Sequence, residues 1–149
     1  MLGKLNEEQM VQVLSSNVIG RIGSYADEKL YIVPVAYLYD DGCLLGHTMR
    51  GMKTKMLEKN PKCCFEVDVM QNMSNWQSVI AWGKFEELEG DEAKIALQKL
   101  ISKLMPIMTG KTNQPAQDLD SLHKLEALHS KATVYRIKIE EKTGRFEKR

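Results

Sequence analysis

Within seven residues the chain sets out an imidazole, a hydroxyl and an ammonium: His47, Thr48 and Lys53, in the stretch Leu44–Pro61. Cys43–Leu45 reads as the end of a strand, His47 and Thr48 leave it, and Arg50-Gly51 turns the chain. A helix begins near Met52, with Met52, Met56 and Leu57 at helical spacing and Lys55, Glu58 and Lys59 facing outward. Asn60-Pro61 stops it. A helix start offers N–H groups without intrahelical partners and the positive end of the dipole. Joined to Thr48 and Lys53, these make an anion site suited to a phosphomonoester. The Gly-rich loop of a nucleoside triphosphatase is absent. Each residue also has a plainer reading: His47 can simply end a strand, and Lys53 can share a solvated face with Lys55 and Lys59.

Other reactive side chains form no constellation. Cys63 and Cys64 are neighbours on an expected strand and so point to opposite faces. His123 and His129 are six apart, and no pair has zinc-ligand spacing, so no metal site is expected. No nucleophile–base–acid arrangement surrounds Ser15, Ser16, Ser24 or Ser78. Met49, Met52, Met70 and Met73 are expected around the site, where adaptable thioethers suit a flat ring. Trp76 and Trp82 either stack on such a ring or fill core and interface.

The elements that must position these residues follow from patterning. Asn6-Glu7-Glu8-Gln9 is a capping box opening a helix to about Leu14, broken by Ser15-Ser16-Asn17. Val18–Tyr25 and Leu30–Tyr39 read as strands joined by the Ala26-Asp27-Glu28 turn, hence antiparallel. Tyr31, Val33, Val35, Tyr37 and Tyr39 share one face of the second strand; Leu30, Ile32, Pro34, Ala36 and Leu38 share the other. Both faces are apolar and one barrel interior can bury only one, so the surplus Tyr/Val face predicts a covering partner. Pro34 lacks a ladder donor and belongs on an edge or bulge. Lys62–Met70 and, after a polar loop Gln71–Asn75, Trp76–Phe85 alternate as strands. Glu89-Gly90-Asp91 caps a helix to about Met105, stopped by Pro106. Ile107–Asp118 reads as irregular, Leu119–Leu128 as a short helix, and Thr133–Ile139 as a last strand before a charged tail. The sum is a mainly β fold, a small barrel with peripheral helices.

The pattern His47-Thr48-x-x-Gly51-x-Lys53, then Leu57, Asn60-Pro61 and the strand Cys63–Asp68, resembles the pyridoxamine 5'-phosphate oxidase-related family of FMN-binding split β-barrels. The nitroimidazole-resistance-like branch is nearest, and the resemblance covers Val18 to Leu88. It implies an FMN whose phosphate is held by Thr48 and Lys53. It places Val33, Pro34 and Val35 beside the flavin ring, His47 and Met52 at the site, and Gln77 or Ser78 within reach of the flavin. It also implies a homodimer with FMN at the subunit interface. A flavin carries the reactive atom itself, so no catalytic triad is needed. The expected activity is FMN-dependent oxidoreduction of small molecules, nitroaromatic or quinone-like, with His47 as the candidate catalytic residue bordering the acceptor. Without a dinucleotide fingerprint, NAD(P)H would bind only transiently. Pyridoxamine phosphate oxidation fits less well, because that enzyme has arginines where this chain has Trp76 and Val79. One rival is a non-enzymatic split barrel storing flavin, or binding haem through a histidine such as His47. Another is a cofactor-free dimeric scaffold.

Length and composition bound the rest. The 149 residues fit one domain, 1–149. A formal net charge of +1, with signs mixed along the chain, argues against a nucleic-acid surface. No apolar run approaches the ~20 residues of a membrane-spanning helix. Three cysteines make no disulfide framework, and the N-terminal residues lack a signal-peptide core, so a cytoplasmic location is expected.

Overall fold

The computed structural model describes residues 1–108 and 132–149. Its elements run β1 (Leu2–Lys4), α1 (Glu7–Ser16), β2 (Ile19–Ala26), β3 (Lys29–Asp40), β4 (Cys43–Met49), α2 (Met52–Lys59), β5 (Lys62–Asn72), β6 (Asn75–Glu87), α3 (Gly90–Met108) and β7 (Ala132–Glu147). The expected mainly β barrel with peripheral helices is what forms. All pairings are antiparallel, in the order β7-β4-β3-β2-β5-β6, and β6 pairs back with β7 to close the barrel. β1 adds to the far end of β7 and was not foreseen.

Turn chemistry sets the register. Asp27 and Glu28 join β2 to β3 with φ of 52° and 62°, and Asp41-Gly42 join β3 to β4 with φ of 45° and 80°. Two residues of positive φ twist in the sense that antiparallel strands require. Ile22, Tyr37, Leu44, Phe65, Val67, Val79, Tyr135 and Ile137 fill the interior. α1 closes one end of this core with Met10, Val13 and Leu14. Its capping box forms as expected: Gln9 N–H donates to Asn6 Oδ1 (2.8 Å) and Asn6 N–H to Gln9 Oε1 (2.9 Å). The helix runs two residues past Leu14, because side chains satisfy its final carbonyls. Asn17 Nδ2 donates to Val13 O (2.7 Å), Tyr37 OH to Leu14 O (2.5 Å) and Lys103 Nζ to Ser15 O (3.0 Å). α2 packs at the opposite end, over β2. α3 covers the outer side of β3, β4 and β7 through Leu45, Leu97, Leu100, Ile101 and Val134.

Several boundaries differ from expectation. β4 continues through Met49, because β7 pairs with it residue by residue to Met49↔Ala132. His47 and Thr48 therefore stay in the strand. Most of the Gln71–Asn75 loop is strand, leaving only Met73 and Ser74 as the turn. α3 passes Pro106 by two residues; a proline removes one N–H bond without ending the chain's helical path. The charged tail after Ile139 is the second half of β7. Trp82 pairs with Glu141 and Gly83 with Ile139, so Glu140 is an extra, bulged residue. The inward parity then switches from Tyr135 and Ile137 to Gly144 and Phe146. The helix expected at Leu119–Leu128, most of the irregular stretch Ile107–Asp118, and His123 and His129 lie outside the described residues. No helix among the described residues is long and apolar enough to cross a membrane.

The two faces of β3 are the reverse of expectation. Tyr37 is fully buried, and Val33, Val35 and Tyr39 pack on the barrel core. Leu30 and Ile32 are 77% and 70% exposed. The surplus apolar face is thus the Leu/Ile one, on the outside of the barrel.

Candidate functional site

β3 and β4 share a ladder only from Asp40↔Cys43 to Tyr37↔Gly46. Beyond it β4 stays with β7 and the rest of β3 with β2, leaving a seam. Tyr37 N–H donates to Val18 O (2.9 Å) on the β2 side. Alternation then aims the N–H groups of Val35 and Val33 at β2 as well, and the backbone nitrogens of Ala36 and Pro34 at the seam. Pro34 therefore costs the sheet no hydrogen bond, which is the edge position expected of it. Of the three neighbours, Val33 and Val35 point inward and only Pro34 faces out.

Across the seam, His47 and Thr48 stand on opposite faces of β4. His47 shares the outer parity of Leu45, is half-buried, and has its Nε2 buried. Thr48 shares the inward parity of Leu44 at the barrel mouth, and its hydroxyl donates to Met49 O (3.3 Å). Gly46, between Leu44 and Thr48 on the inward face, lies under the Tyr135 ring, where a Cβ would come within 2.2 Å of the phenol oxygen.

The turn that follows is fastened by charge. Arg50 donates to Glu58 Oε1 (3.0 Å) and to Glu87 Oε1 (3.1 Å), tying the turn to α2 and β6. Thr54, overlooked in the sequence, is 2% exposed. Its hydroxyl accepts from Gly51 N–H (2.8 Å) and donates to Gly51 O (2.9 Å). A hydroxyl three residues after a helix-opening glycine is the signal that could have found it. The first intrahelical bond is Lys55 N–H to Gly51 O (3.1 Å), so the N–H groups of Met52, Lys53 and Thr54 precede it. A Cβ at Gly51 would meet nothing within 4 Å, so the space before the helix is open.

Lys53 is half-buried, and burial lowers its pKa below the usual lysine value. Among the described residues no carboxylate pairs with it, whereas Lys59 is bound to Asp27 at 2.6 Å. Met49 and Met52 flank this turn and are about half exposed, at 55% and 53%. Met70 and Met73 are not with them; they sit at the β5–β6 hairpin, at the other end of the barrel.

Gln77 and Ser78 are also at that other end. Gln77 lies opposite Phe146 of β7, whereas Thr48 lies opposite Thr133. Those two positions are thirteen residues apart along one strand, on the order of 30 Å or more at ~3.3 Å per residue. Gln77 opens on a groove of about 290 Å³ lined by Val69, Trp76 and Phe146. Ser78 points to the outer face, where its hydroxyl donates to Glu66 Oε1 (3.3 Å). Glu66 lies beside Asp68, and Arg21 faces both, at 3.8 Å and 3.2 Å. Burial, helped by Asp68 and only partly offset by Arg21 and Ser78, pushes the Glu66 carboxyl up to about 7. In the sequence Glu66 and Asp68 are merely the polar half of an alternating strand, which is why this cluster was missed. One chain thus places Met52 and Lys53 in the first turn of α2, just after the strand end that carries Thr48, borders that strand with the β3 seam, and holds Gln77 and Ser78 away.

The fold is similar to an FAD-binding protein from Mesorhizobium loti, with a TM-score of 0.78, 26% identity and 98% of each chain covered. It is also similar to a candidate 5-nitroimidazole antibiotic resistance protein from Bacteroides thetaiotaomicron, with a TM-score of 0.72, 18% identity, and 98% of this chain and 87% of the other covered. A flavocytochrome from Azotobacter vinelandii has a TM-score of 0.69 at 15% identity, with 97% of this chain and 68% of the other covered. An uncharacterised protein from Rhizobium meliloti is 26% identical over 84 residues, so the match spans 56% of the length of that relative and 56% of this chain. The sequence pattern of pyridoxamine 5'-phosphate oxidase matches residues 6–146. That match takes in nearly the whole barrel, and the chain belongs to the pyridoxamine 5'-phosphate oxidase family.

Proposed function

We propose that this protein is an FMN-dependent oxidoreductase of small molecules, and that the FMN phosphate sits at Thr48, Lys53 and the start of α2. The observation that carries the reading is Lys53. It is a desolvated ammonium without a carboxylate among the described residues, beside open space and unspent helix N–H groups. Its cationic neighbours Arg50 and Lys59 are engaged by Glu58, Glu87 and Asp27. Among the described residues Lys55 is unpaired too but exposed, so Lys53 is the one half-buried unpaired cation of α2, which suits one terminal phosphate and favours FMN over FAD. The similarity to a protein described as FAD-binding supports a flavin.

Bound there, the flavin would supply the hydride chemistry. The chain's residues would do the rest. Lys53 and the N–H groups of Met52 to Thr54 hold the phosphate, the seam at Pro34 receives the ring, and His47, Met49 and Met52 border the acceptor side. Gln77 and Ser78 reach such a ligand only from a second copy, which supports a homodimer with FMN between subunits. The substrates proposed are nitroaromatic or quinone-like acceptors, with NAD(P)H as a transient donor.

The test is reconstitution with excess FMN, followed by chromatography of the flavin released on denaturation. FMN is the expected product; FAD alone, or no flavin, sinks the cofactor assignment. Lys53→Met should weaken FMN binding roughly 10- to 150-fold, the value of a charge-assisted hydrogen bond of about 1.5–3 kcal/mol. Lys55→Met should leave it unchanged. If NADH and NADPH both fail to bleach the bound flavin anaerobically, the nicotinamide donor is wrong and a storage role takes its place.

A further inference from the structure

α3 covers the outer side of β4, β7 and the Leu38 end of β3, but among the described residues no helix packs on the outer side of β2, β5, β6 and the Leu30–Pro34 half of β3. Ile19 (51% exposed), Tyr25, Leu30, Ile32, Met70 and Trp82 all stand on this uncovered face. In its middle lies one ionic cluster: Arg21 on β2, Glu66 and Asp68 on β5, and Ser78 on β6. Cross-strand register puts Pro34 of β3 beside Arg21, and Arg145 of β7 beside Ser78. Trp82 and its partner Glu141 lie at the edge of the face.

The pattern fits a second copy of the chain better than an unrelated protein. A two-fold axis needs a self-complementary patch. Here a guanidinium and two carboxylates lie side by side, so Arg21 of one copy can meet the carboxylates of the other. Four strands about 4.8 Å apart and about eight residues long give roughly 500 Å² in projection. Side-chain relief brings that toward the ~800 Å² per partner of a standard interface. Within the ion-paired cluster the charges do not cancel, however. Two adjacent carboxylates share Arg21, with Arg145, Lys62 and Lys84 farther out on the same face, and covering the pair removes the water that tolerates two negative charges side by side.

We propose that two copies meet across this face and that the Glu66–Asp68 pair takes up a proton as they close, so that acid tightens the dimer and alkali loosens it. This rests on the two-copy reading above and adds the group that regulates it. In a free copy the carboxyl of Glu66 is already pushed up to about 7 by burial and by Asp68. Below that pH the proton is present before association, and affinity is flat. Above it the proton must be regained on closing, so the dissociation constant climbs with pH. One proton per copy allows a slope of up to about two decades per pH unit. Arg145 is the group that could cancel the effect, by neutralising the second carboxylate in the closed dimer.

The experiment is sedimentation of the full chain over a concentration series at pH 6, 7, 8 and 8.5. The wild type should show a constant affinity to about pH 7, then a loss of at least about 10-fold by pH 8.5. Glu66→Gln and, independently, Asp68→Asn should dimerise with little dependence on pH. A wild-type dimer whose affinity does not change with pH overturns the proton uptake and leaves the dimer standing. A pH dependence that survives in both variants assigns it to another group and also overturns the proposal. A monomer at every pH removes the two-copy reading as well.

Discussion

Two tyrosines inside the barrel make opposite use of their hydroxyls. Tyr37 OH donates to Leu14 O at the end of α1, whereas Tyr135 OH has no partner among the described residues and is buried. Burial raises both phenols well above the usual tyrosine value. Tyr37→Phe should then cost about 1–2 kcal/mol, for the lost bond and a stranded carbonyl. Tyr135→Phe should be neutral or stabilise by about 1 kcal/mol, since nothing is lost but a desolvated hydroxyl. Urea denaturation of the two variants measures the difference, and equal losses would refute the contrast. At this scale the sequence was legible where chemistry depends on type and local spacing: Lys53 does stand in the first turn of α2, whereas Thr48 stays in β4. It was not legible where chemistry depends on long-range pairing. Nothing local says that Arg50 is spent on Glu58 and Glu87, or that Glu66 and Asp68 meet Arg21 from another strand.

Among the elements, β7 shows why alternation can be read only up to a bulge. Thr133 to Ile139 alternate inward by odd numbers, and after Glu140 the inward residues are even. The second half therefore looks like a charged tail although it pairs with β6 as far as Glu147. Gly83 faces this irregularity, and a Cβ there would sit 2.2 Å from Lys138 O. Because the obstacle is backbone, Gly83→Ala should destabilise by about 2–3 kcal/mol, and lower Tm by roughly 5–10 °C for a chain of this size. Calorimetry checks this; an unchanged Tm would mean that the bulge moves to make room. The hairpins and the α1 cap were foreseen because each is decided within four residues. The seam was not, because it is set by β7 and β2 competing for β4 and β3.

For the molecule as a whole, the proposed dimer would account for both the Leu30/Ile32 face, exposed among the described residues, and the distance between Lys53 and Gln77. Ile32→Lys places a charge at a site 70% exposed in one chain, so folding should be unaffected. If the face is the interface, the variant should be monomeric and should bind FMN at least about 10-fold more weakly, having lost the contacts of Gln77 and Ser78. Sedimentation and flavin fluorescence read the two effects together. A monomer with undiminished FMN affinity would show that one chain holds the cofactor alone. Pro34 has a bearing on whether such chains stay in solution at all. An open strand edge flanked by Leu30 and Ile32 is a template on which further strands could stack without limit. The missing N–H at Pro34 interrupts that edge near its midpoint, so the gap proposed to receive the flavin is also guarded against fibre growth.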